Sequence, residues 1–345
     1  MSDVVVVDRF MLVLAEVLDA VGKPYYQGLL AKLGDRVVAE VAETSRVKAE
    51  LISECLRVLE SWASQTYEGH RIAYAIGIDG AYGAGKTSLA KFSDLADEDF
   101  AKVLSNGIDT MVAINADGKV FFYGACGQGV SRPFAPIRVG PLAKWTSETS
   151  RVCLVLNRLG EIIVLKNGAM NFAKRSGNWH HFTHEECISQ MGKVGSRDLR
   201  QAVYETSIDV SFARTGACIC LMKSSKRGSL KSYVVANDLI ESSSTEKSIV
   251  LKHCVGRNFE QLDRRLRLEI ASMDGATIID HNGRIVAAGA IVTVPGGSSG
   301  GGRRAASVAL SRLGLAIKVS ADGGITAFTD RGSVSNPEVA FEICK

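Results

Sequence analysis

Up to about residue 65, apolar positions recur every three or four places. Leu12, Leu14, Val17, Leu18 and Val21 make one stripe and residues 37–62 carry a longer one, so this stretch is expected to be helical. From Arg71 the period shortens. Residues 73–78, Thr110–Ile114 and 120–123 are short apolar runs, the last two joined by the turn Ala116-Asp117-Gly118. A second hairpin joins Arg151–Leu156 to 161–165 across 157–160 and is closed by Lys166-Asn167-Gly168, so antiparallel pairing is expected to dominate here. From His184 helix and strand patterns alternate: a helix at 198–212, the strand Ala217–Met222, a polar stretch rich in Ser and Lys at 223–248, and a helix at 259–270. Strands at 274–280 and 284–294 flank His281-Asn282-Gly283; a helix at 303–313 precedes strands at 315–320 and 324–328, joined by Ala321-Asp322-Gly323. Residues 331–345 carry no strong pattern, and no internal repeat of useful length is evident.

The pattern implies an α/β chain, α+β overall. A helical segment (1–70) and a small, mostly antiparallel β-rich domain (71–182) precede a domain with a mixed β-sheet flanked by helices (183–330) and a tail (331–345). Composition supports folded cores, with 46% apolar and 23% charged residues. The 41 basic and 37 acidic residues are interspersed, so no basic stripe suggests a nucleic-acid polymer as partner. Asp8, Arg9, Glu16 and Asp19 interrupt the first apolar run, and neither a signal peptide nor a membrane span is expected. The eight cysteines lie mostly within apolar patterns and include no C-x-x-C pair, which points to a reduced, cytoplasmic setting. Cys218-Ile219-Cys220 reads as a strand with two inward small hydrophobes in preference to a redox or metal pair.

Candidate chemistry concentrates between 274 and 306. Asp274-Gly275-Ala276 places a carboxylate at a strand start, where it can hold a divalent metal, and the glycine leaves room above it. The run Gly300-Gly301-Gly302-Arg303-Arg304-Ala305-Ala306 feeds bare N–H groups into a helix N-terminus beside two guanidiniums, a combination suited to polyphosphate. A turn-rich linker with a solvated Arg pair is the structural alternative.

The segment "DGATIIDHNGRIVAAGAIVTVP" resembles the first hallmark of the diadenylate cyclase family (the DAC, DisA-type nucleotide-binding domain), a D-G-A motif followed by R-H-R. "GGGRRAASVALSRLGLAIKVSADGGI" resembles a divergent form of the second, and "LRQAVYETSIDVSFARTGACICLM" the helix and strand that open such domains. The resemblance covers 184–330. It implies condensation of two ATP to cyclic di-AMP and pyrophosphate in a face-to-face homodimer, dependent on Mg²⁺ or Mn²⁺. Asp274 would hold the metal and help activate the 3′-hydroxyl, and Gly275 and Ala276 would line the nucleotide pocket. Arg304, with Arg303 and the amides of Gly300, Gly301 and Gly302, would hold phosphate. Gly302 and Arg303 stand where the family has its first Arg and its His, and Ser311-Arg312 stands in place of an expected Ser-Glu pair. A catalytically weak nucleotide-binding or sensing module is the alternative that these departures leave open.

Gly80 to Thr87 satisfies the G-x-x-x-x-G-K-[ST] spacing of a P-loop, in which Lys86 reaches the β- and γ-phosphates and Thr87 binds Mg²⁺. A P-loop ATPase is therefore a second alternative, although the hairpins that follow do not resemble its parallel scaffold; an exposed loop or a ligand-responsive sensor loop also fits. His180, His184 and Cys187 have the spacing of a conceivable zinc site. An interdomain junction is preferred, with Thr183 capping a helix and Glu186 completing the S/T-x-x-E box. Arg264, Arg265 and Arg267 read as a solvated helix face, with a dimer or phosphate role as the minority reading.

Overall fold

The computed structural model describes residues 23–83, 90–127, 131–241, 245–253, 257–294, 301–331 and 337–344. The apolar stripe expected at 12–21 lies outside the described residues. The chain divides into two units, and it passes between them more than once: the first unit comprises described residues up to 126 with 145–167 and 172–181, the second 127–144, 168–171 and 182 onward. No helix among the described residues is long and apolar enough to cross a membrane.

In the first unit, helices α1 (Lys23–Ser45) and α2 (Ala49–Trp62) precede a small hairpin, β1 (Thr66–Tyr67) with β2 (His70–Arg71). A seven-stranded sheet follows: β3 (Tyr74–Asp79), β4 (Thr110–Ile114), β5 (Val120–Ala125), β6 (Arg151–Leu156), β7 (Ile162–Lys166), β8 (Ala169–Arg175) and β9 (Asn178–His181), in the order β5-β4-β3-β6-β7-β8-β9. Val37 and Val41 of α1 and Ile52, Cys55, Leu59 and Trp62 of α2 share one core with Tyr74, Ile76, Ile78, Val112 and Leu154. The described helices of the 1–70 segment pack on this sheet, because their apolar stripes need a partner. β3 is buried along its whole length, and it pairs in parallel with β4, Ile76 opposite Val112, within a sheet expected to be mostly antiparallel.

The second unit contains α3 (Arg197–Ala213), capped by Ser196, whose hydroxyl accepts from Leu199 N at 3.1 Å. Its six strands are β10 (Ala217–Met222), β11 (Ala276–Asp280), β12 (Ile285–Ala290), β13 (Gly314–Val319), β14 (Ile325–Phe328) and β15 (Val339–Ile343), in the order β12-β11-β10-β13-β14-β15. Only β10 and β11 run parallel, which makes the sheet mixed. Helix α4 (Arg264–Ala271) packs with α3 on one face, where Thr277 donates to Ile270 O. Helix α5 (Gly302–Leu310) packs on the other, over Cys218 and Cys220, which are buried free thiols as expected of inward small side chains. Burial pushes the Cys218 thiol up to about 11. The presumed tail carries β15, whose Phe341 and Ile343 alternate inward; the run is too short to register as a pattern.

The two sheets repeat one topology. Strands β3 to β8 and β10 to β15 follow the same spatial order, with one parallel pair at the same place in each. Both β4–β5 and β11–β12 carry the same register shift: Ala113 opposite Phe122 then Ile114 opposite Val120, and Ile278 opposite Ala287 then Ile279 opposite Ile285. Asn115 Oδ1 accepts from the amides of Asp117 and Lys119, both at 3.0 Å; Asp280 Oδ1 accepts from those of Asn282 and Arg284, both at 2.9 Å. In the next hairpins, Asn157 N donates to Glu161 O and Ser320 N to Gly324 O. This frame aligns "DTMVAINADGKVFFYGA" (109–125) with "DGATIIDHNGRIVAAGA" (274–290). The repeat escapes a reading of the sequence because the matching residues sit in turns and bulges, while the strand positions share polarity without identity.

Two local expectations also change, and the zinc alternative at 180–187 is answered. Arg264 and Arg267, 4% and 6% exposed, are not solvated. Arg264 forms a two-pronged pair with Asp209 and donates to Arg132 O at 2.7 Å and Ala135 O at 2.8 Å, and Asp209 accepts from Ile137 N at 2.8 Å. Thr183 stands at the N-cap of the short helix His184–Gln190 but its side chain makes no cap bond. His180 lies on β9 and not on that helix, while His184 is buried, bonded to Tyr204 Oη and Met170 O and stacked on Phe134; the described residues contain no cluster of three or more metal-ligating side chains.

Removing one partner of a buried ion pair strands the other. Arg264→Ala is expected to lower the unfolding free energy by about 3–5 kcal/mol, read from urea denaturation; a loss within about 0.5 kcal/mol would contradict a structural role for the pair. Burial, and then Arg175, lower the pKa of His180 from 6.5 to about 4. The unfolded chain therefore takes up this proton first, and its contribution to stability falls as pH drops from 6.5 to about 4, with no effect above that window. The melting temperature of His180→Gln should decline less between pH 7.5 and pH 4.5 than that of the parent chain; equal declines would contradict the assignment.

Candidate functional site

β11 begins at Ala276, so Asp274 and Gly275 form the last two residues of the approach to it and not its first turn of strand. Gly275 has φ +112°, and a Cβ there would fall 2.5 Å from Gly289 C and 2.7 Å from Ala290 N. Only glycine permits this crossing of backbones. Gly289, at φ +55°, returns the favour, since its Cβ would lie 3.1 Å from Asp274 O. The pair closes the β11–β12 hairpin against the segment carrying Asp274, whose side chain remains exposed.

One cavity of about 750 Å³ joins this corner to the start of α5. Asp274, Gly275, Ala276, Gly301, Gly302, Arg303 and Arg304 all line it, so the two sequence-distant motifs do meet; Gly300 lies outside the described residues. Gly301, at φ +87°, is the N-cap of α5 and supplies no side-chain cap, which leaves the first-turn amides free of one. The positive end of α5 thus opens on the same space as the guanidiniums.

The two arginines are held differently. Arg303 lies against the backbone at the start of β10: its Nη2 is 3.4 Å from Thr215 O, and a Cβ on Gly216 would meet Nη1 at 2.7 Å. Arg304 has no carboxylate partner among the described residues, and neither does Lys318, a cation of β13 that also lines the cavity. Sequence reasoning missed Lys318. Its signal was a lone lysine in the otherwise apolar run of β13, in register with Cys218 on the face that α5 covers. Arg312, which stands in place of the expected acid, does not line the cavity. A smaller cavity of about 370 Å³ along β14 and β15 shares Arg304, Lys318 and Ser320 with the first.

Three cations, a helix N-terminus and one carboxylate make the cavity suited to a polyanion. Asp274 is a single hard ligand. It could hold a divalent cation whose remaining positions are filled by phosphate oxygens and water, as Mg²⁺ commonly is. Of the P-loop-like run, residues 84–87, including Lys86 and Thr87, lie outside the described residues. Gly80 itself serves packing: its N–H donates to Ser45 O at 2.8 Å, and a Cβ would come within 2.3 Å of that oxygen.

No protein-family model matches the chain, and no curated protein matches it. Among solved structures, part of the chain is similar to DacA from Staphylococcus aureus, at 21% identity over 41% of this chain and 86% of that one, with a TM-score of 0.28. It is also similar to a hypothetical membrane spanning protein from Bacillus cereus, at 17% identity over 41% of this chain and 62% of that one, again with a TM-score of 0.28.

The backbone crossing yields a direct test. Gly275→Ala should cost about 2–5 kcal/mol of stability from left-handed strain plus overlap with Gly289. Gly301→Ala, where φ is also positive but nothing lies within 4 Å, should cost about 1–2 kcal/mol. Thermal unfolding of the two variants side by side distinguishes them, and equal losses would contradict the crossing.

Proposed function

We propose that the second unit binds ATP in the 750 Å³ cavity and that two copies of the chain, face to face, condense two ATP into cyclic di-AMP with release of pyrophosphate. The observation that carries this reading is the single cavity uniting the Asp274-Gly275-Ala276 corner with Arg304, Lys318 and the N-terminus of α5. The resemblance of 274–328 to the diadenylate cyclase motifs supplies the reaction. In each half-reaction a 3′-oxygen forms a bond to the α-phosphorus of the opposite nucleotide. The bond from that phosphorus to the β-bridging oxygen breaks, and pyrophosphate departs. The proton of the attacking hydroxyl passes to the Asp274 carboxylate. Arg304, Lys318 and the α5 amides meet the charge that grows on the leaving group. Mg²⁺ or Mn²⁺, held by Asp274 and phosphate oxygens, would neutralise further charge on the triphosphate. The first unit is proposed to regulate this activity.

A second reading, a nucleotide-binding module with little turnover, is favoured by two features: Arg303 is drawn to Thr215 O, and Gly302 carries no side chain where the resemblance calls for arginine.

The full chain incubated with labelled ATP and Mn²⁺ or Mg²⁺ should yield a cyclic dinucleotide and pyrophosphate. Asp274→Asn should reduce the rate by about 10²–10⁴-fold, and Arg304→Ala should weaken ATP binding by about 10–100-fold. Product formation unchanged in both variants would refute the site. ATP binding without product supports the second reading, while ADP and phosphate lost on Lys86→Ala would instead support a P-loop ATPase.

A further inference from the structure

In the repeat, the positions of β11 and β13 that line the cavity of the second unit have buried counterparts in the first. Ala276 corresponds to Met111 and Lys318 to Val155, both fully buried. A Cβ built on Gly77 would lie 3.0 Å from both Met111 Sδ and the Trp145 ring, so sulfur and indole fill the space. Asp109, the counterpart of Asp274, accepts from Asn106 Nδ2 at 2.6 Å.

The same end of the first sheet nevertheless borders a cavity of about 720 Å³. Thr110 and Arg158 line it, and they correspond to Gly275 and Ala321, which line the cavity of the second unit. The β1–β2 hairpin adds His70 and Arg71 to the wall; the second unit has only Arg214–Gly216 at the corresponding place, between α3 and β10. Arg71 Nη1 comes within 3.7 Å of a Cβ built on Gly160, which places its guanidinium beside the turn bearing Arg158. Neither arginine has a carboxylate partner among the described residues, and Lys102, paired with Asp99, adds a third permanent cation. Glu68 is the one acidic side chain among the described residues that line this cavity. Two guanidiniums without carboxylate partners on one concave wall give an anion charge-assisted donors from both sides. Tyr123, 60% exposed at the rim, offers a flat face.

We infer that the first unit carries its own ligand site, in the cavity between the β1–β2 hairpin and the Arg158 turn, for a small phosphorylated molecule bearing a flat ring. Arg71 and Arg158 grip the phosphate and Tyr123 covers the ring. The volume falls within the range of small-molecule sites. The inference does not rest on the cyclase reading. It identifies where an input could enter the unit that the proposed function assigns to regulation.

The test uses the full chain carrying Arg304→Ala, so that the other cavity is weakened. Isothermal titration with inorganic pyrophosphate, and separately with ATP, should give saturable binding, tighter for ATP. Adding Arg71→Ala and Arg158→Ala should weaken both by at least about tenfold, whereas Arg71→Lys with Arg158→Lys should retain most of the pyrophosphate affinity. Both arginines are exposed, so an unchanged melting temperature verifies the fold, and Arg158→Ala alone serves if the double variant is unstable. Absence of saturable binding by either probe, or equal binding after the alanine substitutions, overturns the inference. Neither outcome bears on whether the chain makes a cyclic dinucleotide.

Discussion

Backbone meets backbone where Gly275 crosses Gly289 and Ala290, and the candidate site depends on that contact. A Cβ at either glycine would force β11 and β12 apart or turn the Asp274 segment aside. Because β11 is also the parallel neighbour of β10, displacement there would pass to the strand on which α5 and its arginines rest. A carboxylate and a helix N-terminus distant in sequence thus share one cavity through main-chain geometry, with no ion pair between them to fix their spacing. Such a site can remain exposed and charged, since its position is set by packing behind it.

The two units show one topology put to different uses. In the second, small residues at Gly275 and Ala276 and a lysine at 318 leave a charged hollow. In the first, Met111, Val155 and Trp145 convert the corresponding space into core, and the rim of the same sheet end is rebuilt by a hairpin insertion and by arginine at 158. What the units share is lodged in the Asx turns at Asn115 and Asp280 and in the matched register shifts, features that set strand twist and are indifferent to the chemistry above them.

Much of this was legible in the chain. Turn chemistry at Asp117-Gly118 and Asn282-Gly283 located the hairpins, and the Asp274 and Arg303-Arg304 motifs located the cavity, because turns and helix starts demand particular residues at particular places. Other features were hidden for physical reasons. Arg264 and Arg267 look like any surface arginines until long-range partners such as Asp209 and Glu205 are in view. β15 is too short to show a period, and Lys318 was overlooked because a single cation in a strand usually marks an exposed face. The parallel pairing of β3 and β4 depends on a crossover, which local hydrophobic pattern does not encode.

The interleaved path of the chain has a practical corollary. Residues 131–137 belong to the second unit although they precede β6 of the first, and they supply the carbonyls of Arg132 and Ala135 to Arg264 and the amide of Ile137 to Asp209. A fragment cut at the apparent boundary near 182 would leave those buried donors and acceptors facing nothing. No single scission yields either half with its polar interior complete, so the tandem has to be inherited, expressed and dissected as one polypeptide.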